Sequence, residues 1–406
     1  MTTKTVLVSG AGVAGITLAY WLGRYGFDVT VVERAGALRR GGQAIDIRGA
    51  ALDVAERMGV LDDARAAATD ITDMSYVDAS GKRIAWMDGA FGAFDPLDVE
   101  ILRGDLLALL CERAGAHAEF VFDDAVTALT ETADGVDVTF ARSAPRTFDM
   151  VIGADGLHSP VRGLVFGEES DVLHDLGVVI STFTVPDRWG LDRTQRTFVE
   201  PGRVATVSDT RVAGEARAIL MFPAHGRAYD YRDVESQYAL LSEVYEGAAW
   251  DVPFLLEQAR RAPDFYLDAC AQVRLDRWSA GRVALVGDAA CAGSPLSGQG
   301  TSVALVGAYV LAGELAAADG DHRVAFSRYE ERLREFARLN NKFALGMAKR
   351  VAPATPWQTR LHLWQIRMIP YTPGKNLVFK LIGRQVKKAA TAVAVPDYPV
   401  PEVSPR

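Results

Sequence analysis

Cysteine is scarce. Cys111, Cys270 and Cys291 are the only three in 406 residues, odd in number, far apart and without a CxxC pair. That excludes a disulfide framework and a thiolate zinc site, and it fits a reducing, cytoplasmic setting. The six histidines never fall at metal-ligand spacing, so no metal centre is expected. Positive charge is not in excess either: 44 Lys and Arg stand against 52 Asp and Glu, a net charge of −8. Without a broad basic footprint, DNA or RNA is excluded as the main partner. No apolar core of secretory-signal length follows Met1. The most apolar long stretch, 303–318, carries Glu314 and is too short to cross a bilayer, so no integral membrane segment is expected. Internal repeats and low-complexity stretches are absent.

What remains is an ordinary globular composition, 49% hydrophobic and 24% charged, in a chain long enough for two or three domains of about 150 residues each. Such a chain buries its core without disulfide or metal staples.

The strongest local pattern comes first. Residues 5–9 (TVLVS) read as a buried strand, 16–25 as a helix stopped by Gly26, and 28–33 (DVTVVE) as the next strand. Between strand and helix stands Gly10-x-Gly12-x-x-Gly15, with Ala14 inside the turn. Gly10 serves the tight turn, Gly12 lets a pyrophosphate approach the backbone, and Gly15 lets helix and sheet pack closely. The order implies a right-handed crossover and a parallel pair. Glu33 closes the second strand, placed to accept from ribose hydroxyls and to repel a 2′-phosphate, which disfavours NADP at this turn. This motif alone does not separate FAD from NAD.

Two more strand-to-turn motifs follow. Residues 150–162 (MVIGADGLHSPVR) run from a buried strand into a polar turn and a helix start. Residues 283–290 (VALVGDAA) end a strand in Gly287-Asp288 and lead through Pro295-Leu296-Ser297-Gly298-Gln299-Gly300 into a helix. Helices are read at 50–58, 106–114, 302–318 and 324–348, and a hairpin over 74–86 turns at Ser80-Gly81. From 172 to 271 the texture changes to antiparallel strands at 178–185, 196–199, 204–208 and 216–222, with helices near 236–245 and 253–260. Residues 377–393 form a basic amphipathic stretch that docks on the chain's own body or on another subunit, and 395–406 read as an extended tail. Trp357 and Trp364 read as packing anchors, and the pairs Asp62-Asp63 and Asp123-Asp124 as solvated faces.

In this order and spacing the three motifs resemble those of the group A FAD-dependent aromatic monooxygenases, the para-hydroxybenzoate hydroxylase fold. The chain layout is similar to that of the tetracycline-inactivating flavin monooxygenases. The resemblance runs from about residue 5 to 348. It implies an α/β protein with a Rossmann-like FAD-binding domain (1–71, 100–170 and 275–350), an inserted antiparallel-β substrate-binding domain (72–99 and 171–274), and a helical C-terminal segment and tail (351–406). It implies FAD as cofactor, with NADPH or NADH as transient reductant. O2 would then form a C4a-hydroperoxyflavin that hydroxylates an aromatic, phenolic or polyketide-like small molecule. FAD carries such chemistry, so no protein dyad is required and no catalytic base is named.

By the same resemblance Asp288 takes the ribityl chain, and Pro295, Gly298, Gln299 and Gly300 bring a helix N-terminus to the flavin ring, where it stabilises negative charge. Gly287 forms the turn before Asp288. Arg103 reaches the pyrophosphate, Arg34 the adenine and ribose, Asp46 and Ile47 the ring and ribityl chain. Asp155 serves either the cofactor or the cap of the following helix. Arg39, Arg40 and Arg48 read as solvated charges. The family often has a histidine three residues past the Gly-Asp aspartate; here Cys291 stands there and reads as a small apolar filler. Phe222, His225 and Trp189 are candidates for the substrate wall, with Trp86 and Phe198 beside them. The expected state is a monomer or homodimer. Two other readings stay open: an FAD-dependent reductase of the same fold, and a non-catalytic flavin-bound ligand-binding protein.

Overall fold

The computed structural model describes residues 3–38, 41–88, 97–227, 229–372 and 387–400. Two sheets organise them. The first has six strands in the order Ser279–Ala280, Val283–Leu285, Met150–Gly153, Thr5–Ser9, Asp28–Glu33 and Glu119–Phe122. All neighbours are parallel except the short edge pair 279–280 with 283–285. The central strands are continuous apolar runs because helices cover them, as parallel sheets require. Helices Val13–Arg24 and Gly300–Ala317 pack against one another in this core. Gly300–Ala317 is long and apolar enough to cross a membrane by composition alone. Nearly every side chain on it is buried in the protein, as on a core helix. A three-stranded antiparallel sheet, Val126–Glu131, Val136–Phe140 and Arg146–Phe148, shares the same core.

The second sheet has seven strands: Tyr266–Val273, Leu173–Pro186, Glu215–Pro223, Arg203–Asp209, Thr194–Glu200, Asp73–Val77 and Arg83–Asp88. It is antiparallel apart from the parallel contact of Asp73–Val77 with Thr194–Glu200. The hairpin from early in the chain thus completes a sheet built from its middle. One face, carrying Phe183, Val185, Ala205, Val207, Ala218, Leu220 and Phe222, is buried in a core shared with helices Val234–Val244 and Val252–Ala259. Strand alternation leaves Arg217, Ile219 and Met221 on the opposite face.

The C-terminal region departs from expectation in part. The helix expected in the C-terminal segment is Pro356–Met368. It opens with a Thr355/Gln358 capping box and Pro356 in its first turn. Ile366 is buried beside Ala85 and Met87 on the outer hairpin. Trp357 and Trp364 are not anchors: they are 64% and 58% exposed on the face turned away from the sheet. Residues 395–400 form no regular element but are docked. Tyr309 donates to the Pro396 carbonyl (2.9 Å), and Tyr398 donates to buried Glu314 (2.6 Å). Of the basic stretch 377–393, residues 377–386 lie outside the described residues; Ala389 and Ala390 are buried, with Ala390 against Gly49.

Asp124 also differs from its reading as a solvated charge. It is buried and accepts backbone N–H groups from Ala125, Arg142 and Ser143. Burial pulls its carboxyl upward, but the Ser143 and backbone hydrogen bonds hold it down at about 2.

Candidate cofactor cleft and active site

Three turns far apart in sequence meet because their strands are neighbours. Ser9 lies opposite Gly153, and Gly153 opposite Leu285, so the chain leaves all three strands at one edge of the sheet. Glycines permit the closeness. A Cβ on Gly10 (φ +105°) would stand 2.6 Å from the Ala154 carbonyl oxygen, and one on Gly287 (φ +63°) 2.8 Å from the Ala14 methyl. First motif therefore touches second, and third touches first. Gly15 is the tightest: its Cβ would lie 1.9 Å from the Gly10 carbonyl oxygen. Gly12 and Gly300 are different, since a Cβ on either meets nothing within 4 Å. Both face open space at the start of a helix that has no side-chain cap, an arrangement that offers backbone N–H groups and positive potential to an anion.

Asp288 marks the floor of the resulting cleft. Its side chain is reached by solvent, yet the surrounding protein desolvates the carboxyl and raises its pKa, partly opposed by Arg103. A residue both accessible and surrounded lines a deep cavity. Tyr266 behaves likewise: it is 39% exposed, but enclosure together with the neighbouring Asp268 and Asp288 carboxylates holds its phenol well above the usual range. Arg103 sits in the first turn of helix Arg103–Ala114, packed under Gly42. That helix starts three residues earlier than the apolar pattern indicated, because Arg-Gly-Asp carries no apolar periodicity.

Across the cleft, strand Ala44–Ile47 pairs with Val99–Leu102 and carries Asp46 to the Gly298 turn. Arg48 was expected to be a solvated charge. It is buried instead, bridging Asp46 (2.9 Å) and Asp98 (3.5 Å). Its backbone N–H donates to the Ser302 hydroxyl (3.2 Å), which fastens the strand end to the first turn of Gly300–Ala317. Burial pushes the Asp46 carboxyl up to about 7 against the opposing pull of Arg48. Ile47 is fully buried core. At the same turn Gln299 is buried, and its side-chain amide has no hydrogen-bond partner among the described residues. A buried amide without partners, two open helix starts and a carboxylate on a cavity floor form a set of donors and acceptors awaiting a polar ligand.

The comparisons with known proteins agree with this geometry. The family described as FAD binding domain matches residues 3–344. The chain belongs to this FAD-binding family of flavin-dependent monooxygenases. A flavin-dependent monooxygenase from an unknown prokaryotic organism is 38% identical over 397 residues, spanning 98% of this chain and 99% of its own length. An uncharacterized protein of Mycobacterium tuberculosis is 48% identical over 340 residues, 83% of this chain and 91% of its own. The crystal structure of the tetracycline destructase Tet(55) superposes with a TM-score of 0.84 at 37% identity, covering 98% of this chain and 99% of that one. The protein is an FAD-dependent monooxygenase of the NAD(P)H- and O2-using kind.

With the family in hand, the remaining predicted residues can be placed. Glu33 accepts from the backbone N–H groups of Ala11 (2.8 Å) and Ala35 (2.9 Å), which orients the carboxylate beside the first turn. Arg34 is exposed next to it. Asp155 is fully engaged within the protein: one oxygen accepts from Ser159, the other from the Val161 N–H (3.1 Å) and the Ser9 hydroxyl (3.3 Å). It ties the first strand to the second motif. Pro295 is exposed at the turn before Gly298, and Cys291 is buried as expected of a filler.

The three residues expected at the substrate wall do not share one surface. Phe222 is fully buried, edge-on to Tyr245, on the helix-covered face of the seven-stranded sheet. Trp189 packs near Trp250 and Phe254 and donates to Asp251 (2.7 Å). His225 is an exposed loop residue. Phe198 is core, and Trp86 lies at the outer hairpin under Arg83. In residues 216–222 (ARAILMF) alternation alone could not say which face was covered by the helices; Arg217, Ile219 and Met221 hold the other one, Arg217 buried and the other two half-buried. Arg217, paired with Asp264 (2.6 Å), reaches Gly41. Sequence reasoning also gave no role to Arg162, a fully buried arginine that donates to the Leu157 and Ala289 carbonyls and so joins second motif to third. Its signal was an arginine two residues into the helix after a buried strand.

Proposed function

We propose that FAD lies extended across this strand edge and that the enzyme hydroxylates an oxygen-rich ring system of the tetracycline or phenolic type. Residues 1–71, 100–170 and 275–350 form the unit that holds it, 72–99 and 171–274 the unit that faces the substrate, and 351–406 the C-terminal segment. In this reading the pyrophosphate rests on the Gly10–Gly15 turn, where Gly12 is open and Ala14 and Gly15 shape the helix start. Glu33 takes the ribose hydroxyls, with Arg34 beside the adenosine. Arg103 neutralises phosphate charge, and Asp288, preceded by Gly287, takes the ribityl hydroxyls. Asp46, Pro295, Gly298, Gln299 and Gly300 surround the ring. The supporting observation is the convergence of the three turns on a floor made by Asp288.

Bound FAD accepts electrons from NAD(P)H and activates O2. The chain's own contribution is placement and charge. The uncapped start of Gly300–Ala317 stabilises negative charge nearby. Asp46, poised near neutrality, can hold or release a proton beside the Gly298 turn. Ile219 and Met221 present two apolar side chains suited to a flat ring, with the buried Arg217–Asp264 ion pair beside them.

The test starts with the purified protein's flavin absorbance and an Asp288→Asn variant. Wild type should be yellow, and the variant should hold FAD at least tenfold more weakly. Tetracycline and simple phenols are then scored by NAD(P)H loss and by incorporation of label from ¹⁸O2. Undiminished FAD in the variant would refute the role of Asp288. Substrate-stimulated NAD(P)H loss with no labelled product would refute hydroxylation and favour the reductase reading.

A further inference from the structure

The turn after Asp155 carries His158 out of the cofactor-side sheet and into the other sheet. Its Nδ1 lies 3.0 Å from a carboxylate oxygen of Glu169, on the short helix Glu169–Val172, and its Nε2 lies 2.8 Å from Asp268 on strand Tyr266–Val273. The ring stacks flat on Tyr231, 3.7 Å away and 5° from parallel. Asp268 is buried and is a hub. Besides His158 it receives the hydroxyls of Tyr229 and Tyr266, each at 3.1 Å, and the Ala269 N–H at 2.8 Å. Arg162 approaches the other oxygen of Glu169 (3.4 Å). Tyr266 is 39% exposed, and its phenol lies within the electrostatic reach of Asp288 and Arg103.

A neutral imidazole has one N–H donor, and carboxylates only accept. Both contacts of His158 are therefore satisfied together only by the imidazolium, or by a proton shared with one of the acids. The groups facing it are Glu169, Asp268, Tyr231 and, one bond further, Arg162, Tyr229 and Tyr266; the two carboxylates dominate. The same balance keeps His158 protonated beyond the ordinary histidine range: burial opposes the charge, but Asp268 and Glu169 outweigh it.

We propose that Tyr266 is a wall of the cofactor cleft and that His158, clasped between Glu169 and Asp268, is the positioning residue that holds this wall against the second cofactor motif. This rests on the reading of the cleft as the FAD site. Deprotonation removes one of the two clasp bonds and sets an imidazole lone pair against a carboxylate. The sign follows: the clasp is complete at acidic pH and is lost as pH rises through the elevated value of His158.

The experiment titrates apo-protein with FAD by quenching of flavin fluorescence between pH 6 and 9, for wild type, His158→Gln, Tyr266→Phe and Tyr266→Ala. Amide hydrogen exchange of strand Tyr266–Val273 and of the 155–159 turn in the apo-protein is the second readout. Wild type should lose affinity at least fivefold across the range, and exchange in both segments should rise with it after correction for intrinsic rates. His158→Gln should be flat at the weak level in both measures. Tyr266→Phe should retain more affinity than Tyr266→Ala, because the ring forms the wall. Identical pH profiles for wild type and His158→Gln in both measures would overturn the clasp, and wild-type affinity in Tyr266→Ala would overturn the wall. A protein that takes no FAD at any pH would remove the cofactor reading and the wall with it, and the exchange data then decide the clasp by themselves.

Discussion

Gly12 and Gly15 sit three residues apart in one turn, and the structure predicts opposite failures when each becomes alanine. Gly12 has φ −83° and ψ −175°, a conformation any residue adopts, and nothing lies within 4 Å of its Cβ position. Gly12→Ala should cost the apo-protein only about 0.5 kcal/mol, the difference between glycine and alanine at a helix cap. A methyl placed there occupies the space through which a pyrophosphate reaches the backbone. One charge-assisted hydrogen bond, worth about 1.5–3 kcal/mol, would be lost, so FAD affinity should fall roughly 10- to 100-fold. Gly15→Ala puts a methyl 1.9 Å from a backbone carbonyl that cannot swing aside. Overpacking of this kind costs about 1–3 kcal/mol, and the better helix propensity of alanine returns up to about 1. Stability should fall by about 2 kcal/mol. Urea denaturation of the apo-proteins and FAD titration separate the two effects. Wild-type FAD affinity in Gly12→Ala would place the pyrophosphate elsewhere; a Gly15→Ala apo-protein as stable as wild type would refute the packing argument.

Asp46 and Asp124 predict opposite pH behaviour. Asp46 is held at about 7 by burial, above its unfolded value, so folding gains from its proton at low pH and loses that gain as pH rises towards 7. Asp46→Asn should therefore match or trail wild type at pH 5 and exceed it at pH 8 in urea midpoint; parallel curves would count against a protonated Asp46. Asp124, held at about 2, stabilises the fold above its ordinary value near 3.8, and this is lost as pH falls through 2. Asp124→Ala should cost about 1–3 kcal/mol at pH 7 through orphaned backbone donors, and an unchanged midpoint would show that water replaces the carboxylate.

Much of the cofactor side was legible because glycine spacing encodes backbone contact. Gly10 and Gly287 each stand where a Cβ would strike another motif, and Gly15 where it would strike the backbone of its own turn, and such requirements leave a mark in sequence that no composition average conceals. Arg48 was not legible. An arginine between Ile47 and Gly49 looks like any surface charge until Asp46 and Asp98 are seen to enclose it, and Asp98 is fifty residues away. Asp124 failed for a related reason: adjacent aspartates read as a charged face, but only Asp123 is solvated while its neighbour closes a turn.

The substrate side was misread for a different physical reason. Phe222 and Trp189 were chosen as large aromatics near the expected cavity, yet large aromatics are what a two-layer core consumes first. The seven-stranded sheet has one face covered by helices Val234–Val244 and Val252–Ala259, and burial of Phe183, Leu220 and Phe222 together fixes which face it is. In the proposed reading, the residues left for the substrate are the medium-sized and charged ones of the other face, Arg217, Ile219 and Met221. Arg217 supplies the sharpest discrimination within this set. Its guanidinium is buried against Asp264 and beside Gly41, so Arg217→Met should remove the positive charge at the Gly41 loop while keeping much of the side-chain volume. KM for an oxyanion-bearing ring should rise about tenfold or more, while FAD affinity stays within about twofold. An equal loss for anionic and neutral substrates would show that Arg217 shapes the Gly41 loop rather than reading substrate charge.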